Sequence, residues 1–288
     1  MACDSPISIN PKDPKCKIGT IPVPCGQCPA CKMTRIRQWA FRLLQEANVC
    51  TSVFFVTLTY DTNHVPISDN NFMTLDKDDW RYFMKRLRRK QETKIKYYAC
   101  GEYGSRTNRP HFHAILFNVE DPSYIFSAWK LGTVHIGETF ESGAIAYCAK
   151  YIDKPSRIPM HKNDDRVPEF SRMSKNLGIS YVHKWKKWHR ADMFNRIYCT
   201  FDDGHKVAMP RYYREKIWNE YERALQAAYI AKAVAAEDTK ARYHFDTFVK
   251  VDDGKDSSTL NDYDAYKQSQ RLGRHAKFYK NQKPRDAV

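Results

Sequence analysis

Residues 109–117 read Arg-Pro-His-Phe-His-Ala-Ile-Leu-Phe. Aromatic and β-branched neighbours make the stretch strand-like, and the Arg-Pro pair marks its entry. Side chains on a strand alternate with period two, so His111 and His113 leave one face side by side. Phe112 then points to the other face, into whatever packs behind the sheet. Two neutral imidazoles on a stiff scaffold are half of a divalent-metal site. The chain therefore needs a sheet that is covered behind this strand and approachable in front of it.

The flanking sequence supplies the rest of such a sheet. Ser52 to Tyr60 is the clearest strand, β-branched and aromatic throughout. Thr74 is placed to cap a helix in which Trp80, Phe83, Met84 and Leu87 recur at i, i+3, i+4 and i+7. The other face of that helix carries Lys85, Arg86, Arg88, Arg89 and Lys90. A strand from Ile95 to Cys100 ends at Gly101-Glu102-Tyr103-Gly104, and a loop through Asn108 makes it an antiparallel neighbour of the histidine strand. A short helix at Pro122–Lys130, a strand at Thr133–Ile136 and a helix at Gly143–Asp153, stopped by Pro155, complete the pattern. Strands and helices in this order predict an α+β fold, an antiparallel sheet of about five strands with flanking helices.

The charge balance narrows the partners. Against 48 Lys+Arg stand 33 Asp+Glu, a formal net charge of +15. So basic a chain draws polyanions through counterion release, with nucleic acid the first candidate. Its 18 Tyr, 15 Phe and 6 Trp offer faces on which unpaired bases stack. No run approaches 18 apolar residues, so no membrane span is expected. The polar, proline-rich start lacks an apolar signal-peptide core.

Chemistry concentrates in two places. A hairpin returning through Arg109 would bring the Glu102 carboxylate beside both imidazoles, forming an open site with positions left for a phosphate oxygen and water. Ile115 occupies what would be the third histidine of a His-x-His-x-His run, which excludes the nucleotide hydrolases built on that pattern. Further on, Tyr147-Cys148-Ala149-Lys150-Tyr151 places two phenols and an ammonium on one helix face. A nearby cation lowers a phenol's pKa, and a tyrosyl phosphate ester on DNA can be reversed by a sugar hydroxyl.

Taken in order, these segments resemble the replication initiators of the rolling-circle endonuclease superfamily named for two histidines around a hydrophobic residue (HUH). Within it the chain looks most like the initiators of the microviruses, of gokushovirus type. The residues carrying the resemblance are Phe55-Val56-Thr57-Leu58-Thr59-Tyr60, Pro110-His111-Phe112-His113 and Tyr147-Cys148-Ala149-Lys150-Tyr151. It covers about residues 16 to 155. It implies that His111, His113 and Glu102 hold one Mg²⁺ or Mn²⁺ and that Tyr147 attacks the scissile phosphate. The products would be a 5′-phosphotyrosine link and a free 3′-OH primer. Lys150 would steady the phenolate or the phosphate, and Tyr151 would serve the second transfer, which closes the displaced strand into a circle. The partners implied are origin DNA, single-stranded at the nick, and the host helicase and polymerase, in the host bacterial cytoplasm. No Gly-Lys-Ser/Thr phosphate loop is present, so unwinding falls to another protein.

Cys25, Cys28 and Cys31 follow one another at two-residue gaps, and Cys16 is the expected fourth thiolate of a structural Zn²⁺ site, with an iron–sulfur cluster as the second choice. The helix after them, with Lys32, Arg35, Arg37 and Arg42, becomes a candidate DNA contact. The expected organisation is an extended arm (1–24), an endonuclease core with the cysteine cluster (25–155), a mostly helical basic extension (156–250) and a basic disordered tail (251–288). Residues 156 to 210 read as polar and irregular, with a basic aromatic patch at His183–His189, and Tyr212 to about Arg242 as one helix. The competing reading is a non-catalytic, zinc-stabilised DNA-binding regulator. A two-histidine, one-carboxylate iron oxygenase is a third, which the basic aromatic composition does not favour.

Overall fold

The strand at Val53–Tyr60 (β3) alternates so that Val56, Leu58 and Tyr60 are buried on one face. That parity decides which side of the sheet needs a helical cover. A computed structural model describes residues 3–10, 19–104, 106–137, 158–249 and 261–281. It divides into two compact units, Ile36–Lys184 and Met1–Arg35 with Trp185–Val288.

In the first unit β3 is joined by Lys96–Tyr103 (β4), Pro110–Phe117 (β5), Gly132–Ile136 (β6) and Phe170–Met173 (β7). The antiparallel order is β6-β3-β5-β4-β7, so the histidine strand β5 is central. The α+β expectation of about five strands holds. The fifth strand, β7, comes from a region whose sequence reads as irregular, because Phe-Ser-Arg-Met is too short and polar to signal a strand without a neighbour.

One face of this sheet packs on the helix Lys77–Arg88 (α2). Its Trp80, Phe83, Met84 and Leu87 meet Val56, Leu58, Phe112, Ala114 and Leu116. Each such burial contributes about 1.5–3 kcal/mol. The cap of α2 is Asp76 rather than Thr74: the Asp76 carboxylate accepts the Asp78 backbone N–H at 2.7 Å. Thr74 instead accepts the Val167 backbone N–H at 2.9 Å. Arg86, expected on the basic outer face, donates to the Ala128 carbonyl at 2.7 Å and so ties α2 to the helix Ser123–Ala128 (α3). At Gly132, where φ is +150°, a Cβ would stand 2.2 Å from the Thr59 carbonyl, so only glycine lets β6 approach β3 here.

The opposite face of the sheet is covered at one end only, among the described residues. Residues of the helix Pro29–Ala47 (α1) within this unit place Leu43 against Tyr98, Ile115 and Phe117, with Trp39 and Leu44 at the edge. Arg42 is buried here and donates from Nε and Nη2 to the Leu177 carbonyl at 3.3 and 3.1 Å. That removes it from the expected DNA-contacting face of α1. Glu46 accepts from Lys96 Nζ at 2.6 Å and from the Gly178 N–H at 2.8 Å.

The second unit holds a strand pair, Ile7–Ile9 (β1) and Ile21–Val23 (β2), inside what reads as an extended arm. Ile179–Ala191 (α4) crosses the boundary between the units, and a small hairpin Tyr198–Thr200 (β8) and Lys206–Ala208 (β9) follows. The single helix expected from Tyr212 is two, Arg211–Ile217 (α5) and Glu220–His244 (α6). The break falls at Asn219, which builds a capping box with Glu222 and so starts a new helix. The expected disordered tail is instead helical over Asn261–Asn281 (α7). Its Arg274 and His275 donate to Asp4 at 3.2 and 2.9 Å, so charge that reads as tail composition is partnered. The expected helix Gly143–Asp153 lies outside the described residues.

Candidate active site

Strand register assembles the site. Glu102 on β4 stands directly opposite His111 on β5, and Cys100 opposite His113. From the other side Thr57 of β3 faces His113 and Thr59 faces His111. All six positions share one parity, and the α1 cover lies at the far end of this face, over Ile115 and Phe117. Among the described residues the face is therefore open where the histidines are, with His111 and His113 side chains 16% and 13% accessible over a buried Glu102.

The ligand atoms converge. His111 Nε2 and His113 Nε2 each lie 2.9 Å from Glu102 Oε1. Behind them the outer ring nitrogens are held. His111 Nδ1 is 3.1 Å from the Arg109 carbonyl, which can only accept, so this nitrogen bears the proton. His113 Nδ1 is 2.9 Å from Thr57 Oγ1, and Phe55 stacks on its ring at 5.7 Å. Arg109 is itself anchored, its Nε donating to the Tyr60 carbonyl at 3.1 Å.

This donor set fits a hard divalent cation. With its proton on Nδ1, a neutral His111 presents a lone pair at Nε2, aimed at a carboxylate oxygen. Two acceptors at 2.9 Å repel unless a proton or a cation lies between them. Ligands adjacent on one octahedral ion at about 2.1 Å stand about 3 Å apart, close to the spacing here. Burial pushes the Glu102 carboxyl up, but hydrogen bonds and charge from His111 and His113 outweigh it and hold the group well below the usual carboxylate range.

Thr57 and the Arg109 carbonyl were missing from the sequence reading as supports of the site. Parity placed Thr57 on some face of β3, but only the β3–β5 register sets it beside His113. Tyr147, Lys150 and Tyr151 lie outside the described residues.

The thiols form a second cluster. Cys3, Cys25, Cys28 and Cys31 bring their sulfurs within 4.8 Å of one another. The fourth member is Cys3, not the expected Cys16, which lies outside the described residues. No spacing signals Cys3, because β1–β2 pairing, and not the local chain, returns it to Cys25. Backbone N–H groups of Cys28 and Gln27 lower the Cys25 thiol to about 6.

The expected nucleic-acid surfaces are partly spoken for. Along α4 Lys186, Lys187, Trp185 and Trp188 are exposed, whereas His189 is fully buried and holds the Arg196 carbonyl at 2.7 Å. His189 is thus a core residue. Among the described residues no helix is long and apolar enough to cross a membrane.

A five-stranded antiparallel sheet flanked by helices, with paired histidines and one carboxylate on its open face, is consistent with the HUH fold. Residues 53–156 match the family model for the phage replication-associated protein ORF2. Over 238 residues the chain is 27% identical to replication-associated protein VP4 of Bdellovibrio phage phiMH2K, covering 72% of this chain and 73% of that protein. It is 28% identical over 232 residues to replication-associated protein ORF2 of Spiroplasma virus 4, covering 72% and 71%. Replication-associated protein ORF4 of Chlamydia phage 1 is 27% identical over 224 residues, 68% of this chain and 53% of that protein. No solved structure matches. Together these findings support a microvirus replication initiator with a role in viral DNA replication.

Proposed function

We propose that the chain initiates rolling-circle replication by nicking one strand at the viral origin and later rejoining the displaced strand. The observation that carries this reading is the convergence of His111, His113 and Glu102 on one point of an open sheet face. Support comes from the family match, whose span of residues 53–156 takes in both this strand and Tyr147, Lys150 and Tyr151.

In this reading Glu102, His111 and His113 hold one Mg²⁺ or Mn²⁺, which when bound polarises the scissile phosphate. The Tyr147 phenolate attacks phosphorus, a 5′-phosphotyrosine bond forms, and the P–O3′ bond breaks to release a 3′-OH primer. Lys150 lowers the phenol's pKa or neutralises the phosphate. Tyr151 cuts the regenerated origin, and the 3′-OH so released attacks the Tyr147 ester to close the circle. Thr57 and the Arg109 carbonyl hold the imidazoles in place. The basic, aromatic outer face of α4 and the exposed lysines and arginines of α2 bind the strand without reading it. The reaction takes place in the host bacterial cytoplasm, with host helicase and polymerase as partners.

The test is incubation with labelled single-stranded origin DNA and Mn²⁺, followed by denaturing electrophoresis. Wild type yields a covalent adduct. Tyr147→Phe with Tyr151→Phe yields none, nor does His111→Ala with His113→Ala. Origin binding with no adduct from wild type would replace this reading with the non-catalytic regulator.

A further inference from the structure

Outside the sheet, one cluster of metal-binding side chains stands among the described residues and has no part in the nicking chemistry. We propose that Cys3, Cys25, Cys28 and Cys31 hold one structural Zn²⁺ as a four-thiolate centre that clamps the β1–β2 pair to the head of α1.

The distances choose a single ion. Sulfurs around one tetrahedral zinc at a Zn–S distance of about 2.3 Å stand about 3.8 Å apart. Here Cys3 and Cys28 Sγ are 4.0 Å apart, Cys25 and Cys31 Sγ are 4.0 Å apart, and all four lie within 4.8 Å of one another. An iron–sulfur cluster spreads its thiolates over two or four irons around bridging sulfides, and so needs them further apart than ligands that share one ion. The iron–sulfur option therefore drops out, and a four-sulfur tetrahedral set favours zinc.

The backbone is arranged for thiolates. The Cys25 N–H donates to Cys3 Sγ at 3.2 Å, and the Gln27 and Cys28 N–H groups donate to Cys25 Sγ at 3.4 Å. Gly26, at φ +76°, makes the tight turn that aims these donors, and Arg35 Nη2 fastens its carbonyl at 2.7 Å. Cys28 precedes α1 and Cys31 lies in its first turn, so the positive end of the helix faces the sulfurs. Four thiolates around Zn²⁺ leave a charge of −2, which this helix end and the Arg35 guanidinium offset. Binding releases the thiol protons to solvent. The clamp also has a continuation: Asp4, next to Cys3, is held by Arg274 and His275 of α7, so the ion secures a segment to which the last helix is tied. Cys16 is left outside the set.

The test uses the full chain, purified without chelator and analysed by elemental mass spectrometry. One zinc per chain is expected, retained in Cys16→Ser and in His111→Ala with His113→Ala, and lost from Cys3→Ser. Because Cys3→Ser could unfold the unit, wild-type protein is also alkylated and its peptides are mapped. Cys3, Cys25, Cys28 and Cys31 should be shielded and Cys16 labelled, with all five labelled after a zinc chelator. The proposal is overturned by absence of zinc, by iron with acid-labile sulfide, by a disulfide within the set, or by shielding of Cys16 with labelling of Cys3.

Discussion

The two clusters bring side chains together by opposite means. At the sheet, three ligands from two neighbouring strands meet because Glu102 and His111 are paired across β4 and β5 and His113 follows two residues on. At the head of α1, three sulfurs come from seven consecutive residues and the fourth arrives from 22 residues upstream of Cys25. The first set is imidazole and carboxylate, presented on an open face with coordination positions to spare. The second is all sulfur and closes around a single ion. Openness and hard ligands suit a metal that must admit a phosphate; closure and soft ligands suit one that only holds chain. The difference teaches that a reactive centre is built on rigid secondary structure, while a structural centre takes the place of secondary structure where little exists.

That contrast can be attacked from the sheet side first. Replacing both histidines by alanine removes two of three ligands, and we expect adduct formation to fall below detection while circular dichroism and zinc content stay at wild-type values. If zinc is lost as well, the two centres are not independent. Next in size, Phe112→Ala removes a fully buried ring from the face behind the histidines. It should cost about 3–5 kcal/mol in urea unfolding. A loss under about 1 kcal/mol, the range of a mere surface change, would mean that the α2 layer does not hold this strand.

A smaller effect sharpens the role of the supports. Thr57→Val keeps the shape of β3 but removes the hydroxyl beside His113 Nδ1. Mn²⁺ affinity, followed by electron paramagnetic resonance, should drop about 10–100-fold, the usual cost of losing an outer-shell partner. Unchanged affinity would show that Phe55 stacking alone orients His113. The zinc content of this variant should not move.

The smallest effect separates histidines by environment. Burial lowers the His189 pKa from its ordinary value near 6.5, beyond what its hydrogen bond to the Arg196 carbonyl restores. The unfolded chain then takes up the proton first. Stability that is full above about pH 6.5 is lost as pH falls from there through the folded-state pKa. Unfolding midpoints at about pH 7.5 and about pH 5.5, on either side of that value, should differ more in wild type than in His189→Gln. An equal difference in both would assign the pH dependence elsewhere.

The strands around His111, the α2 stripe at Trp80, Phe83, Met84 and Leu87, and the pairing of β4 with β5 were legible because period and burial coincide there. Glu102 was legible through the hairpin that returns its strand. β7 was not, since four residues of mixed polarity become a strand only when Tyr98–Gly101 offer an edge to pair with. The break at Asn219 was hidden by uniformly helical composition, although the Asn-x-x-Glu spacing of the capping box was there to be read. Arg42 and Arg86 looked like surface charge, and only packing shows that each satisfies a carbonyl of another segment.

Residue type and parity alone thus determined the sheet, its buried face and the pair of imidazoles on its other side, because alternation along a strand is a local property. The single carboxylate oxygen shared by both rings, Thr57 as a support, and Cys3 as the fourth thiol were decided only in the tertiary structure. Each depends on register between segments distant in the chain, and register is set by the packing of the whole unit and not by any one strand.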